Sequence, residues 1–372
     1  MPLHYVRVSA QLDAFSPLIR PTGNMVVIGD ASAGAAANTA FEITSLADAR
    51  SFSADPNALS PLSKALIAAT RQTPGPSRIW GIRTGTTATA VADALTVAEG
   101  LNVQFVVVAG ASLTADATKQ APITALVNHV TTVSTRGDGN ERMGVAMLAK
   151  GATDTTVAGG TFSNDRMVYV AHQSDDDVAA AVAGTIAGYP PHISMILKQV
   201  AITNTPFTAA QIDTINGLEP DTSSKIGGAG VIWLASPTLI PGTATYLGEG
   251  YNGNPGGQVR FIDVQRTLDD ITFKIKARLI GTIGNLRISR SGLRSLTLAL
   301  EGVLNPLVSD GVLERFAIDI PILRLLDADP ATLTDDQLSK IHDAENGRVA
   351  QVLVSVEYAG AIHRINVNLK FN

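Results

Sequence analysis

Between Asn24 and Ala235 the chain switches repeatedly between two hydrophobic periods, and this limits the folds open to it. Short apolar runs at Met25–Gly29, Arg78–Ile82, Val103–Ala109, Arg142–Leu148, Arg166–Ala171 and Gly230–Leu234 read as strands. Segments at Pro61–Arg71, Thr87–Glu99, Asp116–Ser134, Asp176–Ala187 and Thr208–Asn216 read as helices. Thr208 with Gln211 forms a capping box at the start of the last of these. A run such as Phe105–Val108 has no polar alternation, which suits a strand covered on both faces. Strands and helices that alternate in this way predict a layered α/β core.

Both ends of the chain carry a different pattern, with strict period two. Near the start Val6, Val8, Ala10 and Leu12 share one side, and Tyr5, Arg7, Ser9 and Gln11 share the other. Pro17 and Pro21 then set this strand apart from the rest of the chain. Near the end Val352, Val354, Val356 and Tyr358 alternate with Gln351, Ser355 and Glu357. After Ala359-Gly360, Ile365, Val367, Leu369 and Phe371 alternate with Arg364, Asn366, Asn368, Lys370 and Asn372. Two readings of this last segment stand. The two-residue turn permits a hairpin within the chain. Alternatively, each end finds its partner strand elsewhere, because an exposed apolar edge is an aggregation hazard.

Six glycines and three prolines between Pro237 and Gly257 mark a boundary. Beyond it, Thr267 caps an expected helix with Asp269 and Asp270 in its first turn and Lys274, Lys276 and Arg278 later, an order that complements the helix dipole. Leu268, Ile271, Ile275 and Leu279 form its expected buried stripe. A second helix over Ser289–Glu301 turns Leu293, Leu296 and Leu300 inward, with Arg290 and Arg294 on a flank and Asn305-Pro306 as its stop. Phe316–Leu323 reads as a strand that Pro321 confines to an edge. The expected division is an N-terminal β-arm over 1–20, an α/β domain over 21–236, a linker over 237–257, and an α+β domain over 258–372 that ends in a strand or arm from about 361.

Charge narrows the function classes. The net charge is −5, which does not suggest general nucleic-acid binding. From Gln258 onward 14 basic residues balance 14 acidic ones, so the deficit lies before it, 28 − 14 = 14 basic against 33 − 14 = 19 acidic. Seven basic residues between Arg266 and Arg294 face only Asp269 and Asp270, which predicts a local positive face. Charged residues make up only 16% of the chain, a low share that points to large surfaces covered in an assembly. There is no cysteine, so disulfides and thiolate chemistry are excluded, in keeping with a reducing compartment. The first residues lack the apolar run of a signal peptide, and no stretch approaches the ~18 apolar residues of a membrane span.

Motifs for chemistry are sparse. Gly29-Asp-Ala-Ser-Ala-Gly34 follows a strand but matches neither GxGxxG nor a P-loop, so it reads as a turn, with a nucleotide site as the alternative. The six histidines are scattered without zinc-ligand spacing. Asp175-Asp-Asp177 reads as a cap on the Ala-rich helix, with a cation site as the alternative. No GxSxG elbow is present. No catalytic, cofactor or metal residue is assigned.

One block is more distinctive than any of these. Tyr246–Pro306 combines a Gly/Pro-rich spacer, the segment Phe261-Ile-Asp-Val-Gln-Arg-Thr-Leu-Asp-Asp-Ile271, and paired helices separated by Gly281 and Gly284. This block resembles the C-terminal domain of contractile tail sheath proteins of bacteriophages, R-type bacteriocins and related injection systems. Met25–Gly34 with Ile43–Ala47, Ser163–His172 and Glu357–Ile365 add to the resemblance in the family's order along nearly the whole chain. The resemblance implies a structural, non-enzymatic subunit without cofactor that polymerises as stacked rings around an inner tube. It implies a tube protein, baseplate and tail terminator as further partners, without direct nucleic-acid binding. It implies that Leu3–Leu12 and Ile362–Phe371 insert into neighbouring subunits, with Val6, Val8, Ala10 and Leu12 in one strand and Ile365, Val367, Leu369 and Phe371 in the other. It places a helix of the C-terminal domain against the tube, for which Ser289–Glu301 with Arg290 and Arg294 is the candidate. The rival classes are a cytoplasmic α/β nucleotide-binding enzyme and another self-assembling tail or capsid component.

Overall fold

The computed structural model describes residues 21–216 and 230–362. The strand residues near the start (Val6, Val8, Ala10, Leu12) and at the end (Ile365, Val367, Leu369, Phe371) lie outside the described residues. Two compact units are present. Among the described residues the larger holds 21–272, 305–317 and 354–362; the smaller holds Phe273–Leu304 and Ile318–Leu353.

The larger unit is built on a nine-stranded sheet. Its strands in chain order are β1 (Asn24–Gly29), β2 (Ala40–Ile43), β3 (Arg78–Arg83), β4 (Phe105–Leu113), β5 (Met143–Leu148), β6 (Met167–Ala171), β7 (Gln199–Val200), β8 (Val231–Ala235) and β9 (Thr245–Leu247). They lie side by side in the order β2-β3-β1-β4-β5-β6-β8-β9-β7. From β3 to β8 every neighbour is parallel, while β2, β9 and β7 close the edges antiparallel. The continuous apolar runs sit where burial on both faces requires them: every residue of β1, β5 and β6 is buried.

Six helices accompany the sheet: α1 (Leu46–Arg50), α2 (Pro61–Thr70), α3 (Ala90–Glu99), α4 (Ala121–Thr135), α5 (Val178–Gly188) and α6 (Ala209–Asn216). Helix α2 packs on α5, and α3 on α4, so helices cover the sheet on either side. All of α5 except its last residue is buried, which explains a sequence that is apolar all round, Val-Ala-Ala-Ala-Val-Ala-Gly. Asp177 caps it, as its position in the acidic triplet predicts.

The segment read as a linker contributes one short strand to this sheet. Within 237–257 lies β9, paired to β8 and β7. Its glycines serve close packing: a Cβ on Gly248 would lie 2.3 Å from the Trp233 ring, and one on Gly253 2.6 Å from the Tyr169 ring.

The rest of the chain comprises α7 (Ile262–Ile280), α8 (Arg290–Ser309), β10 (Leu313–Asp319), α9 (Pro321–Asp327), α10 (Asp335–Gly347) and β11 (Leu353–Tyr358). Three segments differ from their expected form or gain a partner here. Helix α8 runs through Pro306 to Ser309, because Leu293, Leu300, Leu304 and Leu307 form one buried stripe along it and a proline in its last turns interrupts little. Pro321 is not in an edge strand but at the first position of α9, where its missing N–H costs nothing. Residues 353–358 do form a strand, and its partner is β10.

Candidate assembly site

The segment Phe261–Ile271 is where the structure departs most from its expected form. The helix begins at Ile262, not beyond Thr267. The Ile262 N–H donates to Gly250 O, Tyr251 and Phe261 form an isolated bridge, and their ring centroids lie 5.7 Å apart at a tilt of 35°, so the glycine-rich segment fixes the helix start. The face that this turns inward is polar. Asp263, Gln265, Arg266, Thr267, Asp269 and Asp270 are buried, as is Ile271, whereas Leu268, expected in the buried stripe, is 46% exposed. Arg266, Asp269 and Asp270 therefore do not belong to a solvated face.

Buried charge needs partners close by. The Arg266 guanidinium donates to Tyr189 O at 2.8 Å, to Thr22 O at 3.1 Å and to Pro190 O at 3.4 Å, and lies over the Phe105 ring. Burial pushes its pKa down to about 10, against the attraction of Asp270, Asp263 and Asp269, so it stays charged at neutral pH. One turn before it, Asp263 accepts a 2.7 Å hydrogen bond from the hydroxyl of Tyr358, the last residue of β11. That hydroxyl also lies 3.2 Å from His192 O. Burial, then the bond to Asp263, raises the Tyr358 pKa and keeps the phenol protonated. One turn after Arg266, Asp269 pairs with Arg166 and accepts from Gln265 at 3.1 Å.

The smaller unit separates its charges along the chain. Its α7–α8 portion, residues 273–304, carries six basic residues and one acidic one; residues 318–353 carry three basic and seven acidic. Arg290 and Arg294 stand on the exposed flank of α8, as expected, and both turn to Asp327 at the end of α9, at 3.9 and 3.0 Å. Arg290 also donates to Leu326 O. No local spacing points to Asp327 as their partner, since it lies 33 residues from Arg294.

Strands β10 and β11 make a sheet of only two strands. The Ala359 N–H extends the pairing to Val312 O at 3.2 Å, and Arg315 pairs with Glu357 at 2.6 Å. A two-stranded ribbon is marginal in water by itself. It leaves apolar side chains outward, with Leu353 59% and, just beyond it, Ile362 76% exposed.

The nucleotide-site alternative fares worse. In doubly wound sheets ligands enter where the strand order reverses, here between the C-terminal ends of β1 and β4. The chain's own groups occupy that position. Asp30 O accepts the Leu62 N–H at 3.0 Å, Gly29 O accepts the Thr84 N–H at 2.9 Å, and the buried Asp177 takes the Gly110 N–H at 2.8 Å besides capping α5 at Ala180. The acidic triplet does not converge: Asp175 pairs with Lys150 at 2.5 Å and Asp176 accepts from Thr203 N. Among the described residues no group of three His, Asp or Glu is placed to hold a metal, and no helix is long and apolar enough to cross a membrane. His129 and His172 are buried core residues, the former accepting from Arg142 at 3.3 Å and the latter bonded to Leu148 O and Ser174 N.

No family model and no curated protein matches the sequence. Solved structures do match in fold. The sheath complex of an extracellular contractile injection system (PVC) in the contracted state aligns with a TM-score of 0.69 at 13% identity, over 100% of this chain and 98% of that one. The helical sheath of the anti-feeding prophage in the contracted state gives 0.65 at 14% identity, over 100% and 98%. A chain of the anti-feeding prophage baseplate, sixfold symmetrised, gives 0.66 at 13% identity, over 100% and 99%. The chain thus has the fold of contractile sheath proteins along its whole length.

Proposed function

We propose that this chain is a subunit of a contractile tail sheath, which polymerises as stacked rings around an inner tube and shortens to drive the tube through a target envelope. One observation carries the reading: the fold match to contracted-state sheaths covers essentially all of both chains. The low charged fraction and the short β10–β11 ribbon support it, since both call for covered surface in an assembly.

In this account residues 1–20 are an N-terminal arm, 21–236 an outer lobe, and 258–372 a core domain whose end, from about 361, is a second arm. Val6, Val8, Ala10 and Leu12 of one copy, and Ile365, Val367, Leu369 and Phe371, add to sheets of neighbouring copies. Backbone hydrogen bonds then supply affinity and alternate side chains supply register. The β10–β11 ribbon is the acceptor within each core domain. Arg290 and Arg294 face acidic residues of the tube. Contraction uses no nucleotide or cofactor, because the difference in free energy between two packings is stored during assembly. Baseplate and terminator proteins bound the polymer, and assembly takes place in the host cytoplasm.

Negative-stain microscopy of the purified protein tests the reading. Hollow ribbed cylinders are expected; a monodisperse small particle under all assembly conditions, with a thermal shift on adding a nucleotide, contradicts it.

A further inference from the structure

The roots of both terminal segments are held by a single helical turn. Thr22 lies just before β1, and its carbonyl is taken by Arg266 at 3.1 Å. Tyr358 ends β11, and its hydroxyl is taken by Asp263 at 2.7 Å. Asp263 and Arg266 are three residues apart on α7, so they lie on one face, and both are buried. The second Asp263 oxygen meets no hydrogen-bond donor among the described residues, and Arg266, one turn on, is attracted by Asp270, Asp263 and Asp269 together. Arg266 in turn secures the turn after α5 through Tyr189 O and Pro190 O, and Tyr358 lies against His192 O two residues further on. Two distant parts of the chain, 336 residues apart from Thr22 to Tyr358, thus meet at one turn of α7.

We propose that Asp263 and Arg266 are positioning residues that anchor both arms at one point and couple them, so that releasing the root of one arm loosens the root of the other. The coupling is electrostatic as well as mechanical. Removing the Tyr358 hydroxyl leaves Asp263 with a poorer set of partners, which alters its interaction with Arg266 and through it the hold on Thr22. In an assembly this arrangement passes tension from arm to arm through one buried turn without deforming the large sheet. That consequence rests on the proposed sheath function; the coupling itself is a property of the isolated subunit.

Hydrogen exchange on the full-length soluble subunit tests it without requiring polymerisation. Tyr358→Phe removes a single hydroxyl from the C-terminal root. Arg266→Lys keeps the charge but loses the forked reach to three carbonyl oxygens. Each substitution is expected to speed exchange about fivefold or more in peptides covering both 21–25 and 356–362. Ile123→Val, in the buried face of α4, lowers global stability without touching the turn and is expected to leave both peptides unchanged relative to the rest of the chain. If Tyr358→Phe speeds exchange only at 356–362, the coupling is refuted, whatever the polymerisation assays show. If Arg266→Lys does not fold, Tyr358→Phe alone decides the matter.

Discussion

Arg294 donates to the Asp327 carboxylate at 3.0 Å, tying the flank of α8 to the end of α9. Both side chains are well exposed, so the pair contributes little to folding, typically under about 1 kcal/mol. Its position matters more, because Asp327 lies beside the two arginines assigned to the tube.

Reversing both charges, Arg290→Glu with Arg294→Glu, is therefore expected to leave the subunit folded and to abolish extended sheath on tubes. Asp327→Asn is the control. It removes the negative charge beside the arginines and is expected to preserve or strengthen tube association in a co-sedimentation assay at low salt. Normal extended particles from the double reversal remove these residues from the tube interface.

His129 sets the direction of the acid response. Burial, followed by repulsion from Arg142, holds its pKa down to about 4 from 6.5. The unfolded chain therefore binds a proton that the folded chain refuses between these values. Stability from this site is fully present above pH 6.5 and is lost as the pH falls to about 4, by about 3 kcal/mol. His172, lowered mainly by burial, acts in the same direction. Urea titrations at pH 7.5, 5.5 and 4.5 are expected to show His129→Gln losing less stability on acidification than wild type. Equal losses in the two proteins contradict this assignment.

Arg166 and Asp269 form an ion pair with little solvent contact. Arg166→Met removes the cationic partner of a buried carboxylate that keeps its Gln265 hydrogen bond, and is expected to cost about 2–3 kcal/mol. Adding Asp269→Leu removes the buried negative charge and should recover much of the loss. Urea midpoints check this, and a neutral Arg166→Met shows that the pair is not a main support of α7.

Deleting residues 1–12 removes only the first alternating segment. The expected outcome is a cooperative melt close to that of wild type together with loss of polymerisation by microscopy. Polymers of normal appearance from the truncated chain rule out the N-terminal arm as a link between copies.

The central strands of the large sheet and helices α2 to α6 are legible in the sequence because burial on both faces favours continuous apolar runs, whereas the short edge strands β2, β7 and β9 and helix α1 are not. Met25–Gly29 and Arg166–Ala171 fall within a residue of the observed β1 and β6. Asp177 announces its helix by the ordinary chemistry of a cap. The start of α7 is not legible. Thr267 with two aspartates after it has the form of a solvated cap, and what holds the buried turn is the contact of Arg266 with Thr22 and Tyr189, of Asp269 with Arg166 and of Asp263 with Tyr358, all distant in sequence. Prolines mislead in a related way. A fixed φ suits both an edge strand and the first position of a helix, so Pro321 carries no local sign of which it occupies. The glycines after Pro237 show flexibility in sequence terms, yet Gly248 and Gly253 are packed beneath rings that only tertiary structure brings to them.

The central claim is that both ends of the chain pair with other copies of it. An atomic cryo-electron microscopy structure of the assembled polymer measures this directly. The account predicts residues 3–12 and 362–371 of each copy in backbone ladders with different copies, one of them alongside a neighbour's β10–β11 ribbon. Ends that fold back onto their own chain, in a particle whose subunits meet only through the large lobes, contradict it.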